Sequence, residues 1–184
     1  QSSAASDVYK RQHIHADHIS GMKELNKQTD CTSIMGEKSP SEVVNIRVKD
    51  NEKIKIENIE LISIYTPGHT DCSYSFLMTD RVFTGDTLLI NGTGRTDFQN
   101  GNSIDQYNSL FNRILKLPEK TFVYPAHDYN GNKVSTIGKQ KNTNPRLQVK
   151  SPAQYEELMN NLNLKNPKMM DIAVPANIKG QTID

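Results

Sequence analysis

"HIHADHISG", residues 13–21, places three of the chain's five histidines beside an aspartate, and its reading constrains the fold more than any other stretch. On a helix, the spacing of His13 and His15 would turn their rings about 200° apart, so the pair suits an irregular loop. The other two histidines occupy two further short loops, His69 in "TPGHTD" and His127 in "YPAHDY". Each loop follows or ends a segment that reads as strand, where the backbone can aim side chains at a common point. Grouped with Asp17 and Asp86, the histidines point to a metal site. Imidazole and carboxylate donors suit zinc, iron or manganese, and a set without thiolates disfavours copper(I) and iron–sulfur clusters.

Working outward, "ISGMKELNKQ" (19–28) carries Ile19, Met22 and Leu25 at helical spacing, so a short helix is expected after the loop. From Val43 to Ile64 the pattern becomes alternation, with turn chemistry at Asp50-Asn51 and Glu57-Asn58, and predicts strands in antiparallel hairpins. "YSFLMTDRVFTGD" (74–86) repeats the device and ends on Asp86. In "NSIDQYNSLFNRILKLP" (102–118), Ser103 and Gln106 form a capping-box signature ahead of an apolar helix that Pro118 stops. "TFVYPAH" (121–127) reads as a strand running into a loop, and Ser151-Pro152 opens another helix. The tail from Asn163 to Asp184 has few helix or strand signals.

A length of 184 residues suits one domain with a sizeable core. With 22 basic against 21 acidic residues and no basic stripe, nucleic acid is not an expected partner. Nor is a membrane expected, because the longest mostly apolar stretch, around Ile59 to Tyr65, falls far short of a bilayer span. Cys31 and Cys72 lack disulfide-scaffold or zinc-knuckle spacing and read as two reduced, buried thiols.

"HIHADHISG", "TPGHTD", "FTGD" and "YPAHD", in this order, resemble the metallo-β-lactamase fold, an α+β αββα sandwich with its metal site at the edge between two sheets. More narrowly, "GTGRTDFQ" (92–99), "NPRL" (144–147) and "NLNLKNPKMMDIAVPAN" (161–177) resemble the persulfide dioxygenases. The resemblance runs from His13 onward. It implies iron(II)-dependent oxidation of glutathione persulfide by dioxygen to sulfite and glutathione, as part of sulfide detoxification, with no protein nucleophile. One Fe(2+) per chain would be held by His13, His69 and Asp86, with His15, Asp17, His18 and His127 as outer-sphere groups that orient ligands and hold water. The residues alone leave this division open. All seven groups of a two-metal hydrolase are present, so two Zn(2+) ions and a glyoxalase II-like thioester hydrolase are equally allowed by ligand count.

Arg95 stands nine positions after Asp86 in a glycine-bearing loop, where a guanidinium can grip a substrate carboxylate; an ion pair with Asp97 is the alternative. By resemblance, Tyr129 is a second substrate contact. The "AVPAN" tail is expected to pack the fold, with Asn177 placed to line the site.

Only twelve residues precede the first histidine, whereas this fold normally sets several strands there. Residues 2–12, "SSAASDVYKRQ", can be back-translated into codons that resemble a transposase adapter used in preparing sequencing libraries. The chain therefore divides, on this expectation, into a non-native segment 1–12 and a metallo-β-lactamase-like domain 13–184 that lacks its N-terminal strands. A bacterial-type cytoplasmic protein is assumed, its targeting signal unreadable, and a homodimer is allowed. A further alternative is a metal-binding fragment of a longer sulfur-transfer protein that carries a rhodanese module.

Overall fold

The computed structural model describes residues 8–128, 130–165 and 169–181. Two sheets lie face to face. The smaller is parallel and contains β1 (Val8–Lys10), β2 (Thr32–Gly36) and β3 (Ile46–Val48). The larger has six strands in chain order: β4 (Lys53–Ile56), β5 (Ile59–Tyr65), β6 (Tyr74–Leu77), β7 (Arg81–Gly85), β8 (Phe122–Pro125) and β9 (Ser135–Thr136). All its pairings are antiparallel except β7–β8, whose parallel register requires the crossover through α2 (Ser103–Asn112). α1 (Met22–Thr29) leads into β2; α3 (Ile137–Thr143) and α4 (Pro152–Asn160) complete the outer layer on the larger sheet. α5 (Met170–Lys179) packs Val174 and Ile178 against Met35 of β2. This is the αββα sandwich implied by the histidine motifs.

The larger sheet is covered on both faces, and its alternation therefore sorts two cores rather than core from solvent. Leu61, Tyr74 and Phe76 meet Ile34 and Val48 of the smaller sheet. On the opposite face, Ile64, Val82 and Val123 pack instead with Leu110, Ile114, Ile137 and Tyr155 from the helical layer. Within that layer Tyr107 stacks on Phe111 of α2 with ring centroids 4.2 Å apart.

Three expectations change. β3 does not pair in a hairpin with β4; it joins β2 in the smaller sheet, because Ile46–Val48 carries the alternation across the turn at Asp50-Asn51 into the other layer. The cap of α2 is Asn102, whose side chain accepts from the amides of Ile104 and Asp105, leaving Ser103 as the first helical residue. The tail from Asn163 contains a helix after all, α5, with Pro175 inside it and Gly180 closing it in the left-handed region. Its buried face, Ala173, Ala176 and Asn177, is small and partly polar, so hydrophobic periodicity gave little signal.

The described part of the segment set apart in sequence is built into the sandwich. β1 pairs with β2, the Gln12 carbonyl accepts from the amide of Tyr74 at 2.9 Å, and Arg11 is buried. Lys10 lies over the ring of Phe83, its Nζ 4.4 Å from the centroid, and burial lowers its pKa to about 8. Residues 1–7 lie outside the described residues. Cys31 and Cys72 are free and buried, and among the described residues no helix is long and apolar enough to cross a membrane.

Candidate metal centre

Because β5, β7 and β8 run in the same direction, the loops leaving their C-terminal ends emerge at one edge of the larger sheet. These loops carry His69, Asp86 and His127, and the end of β1 brings the loop of His13 to the same edge. That loop is neither helix nor strand, so its polar backbone needs side-chain partners. Arg11 donates from Nε to the His13 carbonyl at 3.0 Å and from Nη1 to the Ser20 hydroxyl at 2.9 Å. Gln99 donates to the Ile14 carbonyl at 2.8 Å, and the Ile14 side chain is buried with Met35 and Cys72. With Ile14 pinned inward, His13 and His15 face the edge, and their ring centroids lie 4.4 Å apart.

Two groups of donors result. In the inner one, Nε2 of His13 and Nε2 of His69 stand 3.6 and 3.4 Å from Asp86 Oδ2. These separations exceed a hydrogen bond and match donors arranged about a shared ion. His69 Nδ1 lies 2.8 Å from the Arg95 carbonyl, which can only accept; the proton is therefore on Nδ1 and the Nε2 lone pair faces the centre. Asp86 Oδ1 is buried with no hydrogen-bond partner. A carboxylate in that condition is costly until a cation neutralises it, and the residues present fit a metal. In the outer group, His15, Asp17 and His127 also bring one donor atom each within 4.8 Å of one another. His127 Nε2 stands 3.6 Å from Asp86 Oδ1 and 3.7 Å from Asp17 Oδ2, so it sits between the groups. His18 bonds Asp17 at 3.0 Å and steers that carboxylate from the solvent side.

Two glycines make the packing possible. Gly94 lies against the centre, where a Cβ would stand 2.3 Å from the Asp86 carbonyl oxygen and 2.8 Å from His69 Nδ1. Gly68 precedes His69 at φ +135°, and a Cβ there would meet the backbone of Gln106 at 2.3 to 2.4 Å. Gln106, fully buried, donates to the Gly94 carbonyl and accepts from the Tyr155 hydroxyl, tying α2 and α4 to the floor of the site.

A cavity of about 450 Å³ opens over the inner group, and Arg95, Phe98, Arg146, Leu164 and Lys165 wall it. Arg95 takes the alternative weighed for it: paired bonds of 2.7 Å to Asp97, and donations to the Lys165 and Leu164 carbonyls at 2.6 and 3.3 Å. Its guanidinium clasps the wall. Arg146, a cavity cation that like Lys165 has no carboxylate partner among the described residues, donates to the Thr93 carbonyl and was not singled out in the sequence. The only sequence signal for it was its place in "NPRL", where the Asn144 side chain caps the turn. Tyr129 lies outside the described residues. Asn177 does not line the cavity.

Electrostatics favour donors that are ready to bind. Burial, then the neighbouring His69, His15, Arg11 and His127, hold His13 well below the ordinary histidine range. Burial, then His18 and Arg11, lower His15 to about 3. Burial pushes Asp86 upward, opposed by His69 and His127. Burial also pulls Asp17 upward, yet His18, its own backbone amide and His127 together leave it below its usual value. For His13 and His15 the sign is that of depressed groups: the unfolded chain takes up protons below about pH 6.5 and the folded one does not. Stability of the metal-free protein should therefore fall as pH drops from about 6.5 towards 3, with Asp86 offsetting part of the loss. Chemical denaturation from pH 7 to pH 4 checks this. His15→Asn should flatten the dependence.

A sandwich whose strand-end loops gather histidines and aspartates at one edge defines a metal-binding protein of the metallo-β-lactamase type. The model of the Metallo-beta-lactamase superfamily matches residues 37–127. ETHE1 from Myxococcus xanthus superimposes with a TM-score of 0.92 at 42% identity, over 95% of this chain and 77% of that one. The mitochondrial persulfide dioxygenase ETHE1 of Homo sapiens is 39% identical over 170 residues, 91% of this chain and 66% of its own length. A probable hydroxyacylglutathione hydrolase of Schizosaccharomyces pombe is 30% identical, over 86% of this chain and 72% of its own length. The chain belongs to the metallo-β-lactamase superfamily and, within it, to the ETHE1 group. It spans about two thirds of the length of the ETHE1 relatives from Homo sapiens, Mus musculus and Bos taurus.

Proposed function

We propose that the protein is a persulfide dioxygenase that oxidises glutathione persulfide with dioxygen to sulfite and glutathione, consuming a water as sulfite is released. The observation that carries the reading is the inner group, His13, His69 and Asp86, facing a cavity whose walls supply cations, in a chain of the ETHE1 group. Two imidazoles and one carboxylate would hold iron(II) and leave open positions, and the iron would supply the redox chemistry that dioxygen needs. The protein's own residues do the rest. Arg146 and Lys165 meet an anionic substrate, and the Arg95–Asp97 clasp fixes the wall that carries Lys165. His127 and Asp17, beside Asp86 but more exposed, hold the water. No cysteine takes part: Cys72 is buried, and burial pushes its thiol up.

The outer group favours a second reading, a dinuclear zinc thioester hydrolase. Metal analysis with dioxygen uptake separates the two. One iron per chain, with sulfite formed only when dioxygen is supplied, supports the first; two zinc ions with thioester cleavage in its absence would overturn it.

Arg146→Ala should raise the Michaelis constant for glutathione persulfide about ten- to a hundredfold, corresponding to the loss of a charge-assisted contact of about 1.5 to 3 kcal/mol, with metal content unchanged. Arg95→Ala should act differently. Its donors already serve Asp97 and the chain carbonyls, so the variant should loosen the wall and lower the melting temperature more than it weakens substrate binding. Steady-state kinetics and melts on both variants check the order.

A further inference from the structure

Asn177 is 1% exposed and sits on α5, more than 150 residues from the histidine loop in sequence. All of its amide is used on that loop. Nδ2 donates to the His15 carbonyl at 2.9 Å and to the His18 carbonyl at 2.8 Å; Oδ1 accepts from the Ser20 amide at 2.8 Å. These are the backbone groups of an irregular turn that no helix or sheet satisfies. Arg11 and Gln99 hold the first half of the loop, at His13 and Ile14. Asn177 alone among the described side chains bonds the carbonyls of the second half, at His15 and His18. The packing beneath is continuous with it, since Val174 and Ile178 of the same helix pack against the cluster of Ile14, Met35 and Cys72.

We propose that Asn177 is the positioning residue of the outer group: by drawing the carbonyls of His15 and His18 to the rear, it turns their imidazoles and Asp17 towards His127 and the cavity. It touches neither metal nor substrate. Its action is on the half of the loop that carries the outer donors, while the inner triad keeps its own supports, the Arg11 bond at His13 and the Arg95 carbonyl at His69. α5 is thus a working part of the centre. An apolar residue could pack its helix; only a planar amide supplies two donors and an acceptor in this fork.

The inference rests on the metal-centre reading but not on the reaction, so its first readout needs no turnover. Imidazole proton–nitrogen correlation spectra of the zinc-loaded protein should show the His15 and His18 signals shifted or broadened in Asn177→Ala, with His69 in place. Asn177→Asp, which keeps the acceptor for Ser20 and sets a carboxylate against two carbonyls, should do the same. In the iron-loaded enzyme kcat should fall about tenfold or more, as for other groups that orient ligands, with the persulfide KM changed less than threefold. Val174→Ala is the control. It loosens the same helix on the Ile14, Met35 and Cys72 cluster and should lower the melting temperature without either effect. Should the Ala variant not fold, Asn177→Ser, too short to span both carbonyls, takes its place. Unchanged histidine signals in the Asn177 variants would overturn the proposal, as would all five histidines moving together or Val174→Ala reproducing the same pattern.

Discussion

Asp86→Ala should cost the protein its metal and its turnover together, with metal affinity lowered by about a hundred- to several thousandfold. Asp86 is the only anionic donor of the inner group; without it, two neutral imidazoles face a dication. Breaking a buried charge pair by removing one partner costs about 3 to 5 kcal/mol, which sets that range. The metal-free protein should respond in the opposite sense. Burial raises the Asp86 carboxyl above its usual value, and a group so raised contributes stability that is lost as pH rises through its folded pKa. Without the metal, ionising this carboxylate in the site is therefore unfavourable. Removing it should leave the metal-free melting temperature unchanged or higher. Equilibrium metal titration with melts of both forms measures the two effects, and a metal-free variant that unfolds much earlier would show that Asp86 is structural. His127→Ala refines the picture. It should lower activity yet leave close to one metal per chain if only the inner group binds, and would deplete a second ion if the outer group binds one.

Gly68→Ala should be the most damaging methyl that can be added to the chain near the site. The residue sits at φ +135°, a region that residues with a Cβ rarely enter, at a cost of about 1 to 3 kcal/mol. The new methyl would also overlap the Gln106 side chain and backbone, 2.2 to 2.4 Å away, inside the first turns of α2, where nothing rotates aside. Overpacking adds about 1 to 3 kcal/mol more. For a chain of this size the sum lowers the melting temperature by roughly 5 to 20 °C. Because His69 follows directly, metal affinity should fall too, and Gln106 loses register with the Gly94 carbonyl that it holds. A variant that melts within a degree or two of the parent would show that the "TPG" turn has slack. Thermal unfolding with and without zinc gives both numbers.

The elements that the sequence disclosed were those whose signal is local. The hairpin from Tyr74 to Gly85, the Ser151-Pro152 helix start and the short helix after the histidine loop all appear as read, because turn residues, caps and periodicity act over a few positions. The register of β3 was not local. Ile46, Arg47 and Val48 alternate as well for one sheet as for the other, and only packing decides which edge they join. α5 escaped notice because small residues and a proline leave no apolar stripe, and its buried face is defined by what it meets.

For the site, the sequence by itself determined the chemistry: five histidines and two aspartates in loops at strand ends, hence a metal, and the family in which such loops occur. Tertiary structure decided the grouping. It placed His13, His69 and Asp86 together and His15, Asp17 and His127 beside them, turned Arg95 to Asp97 and the chain carbonyls, left Arg146 facing the cavity, and brought Asn177 behind the loop from the far end of the chain. Donor type is a property of each residue and is legible one letter at a time. Which donors share an ion, and which charge is already satisfied, depends on separations of 3 to 4 Å between residues up to 162 positions apart, and those distances exist only once the two sheets and α5 have packed.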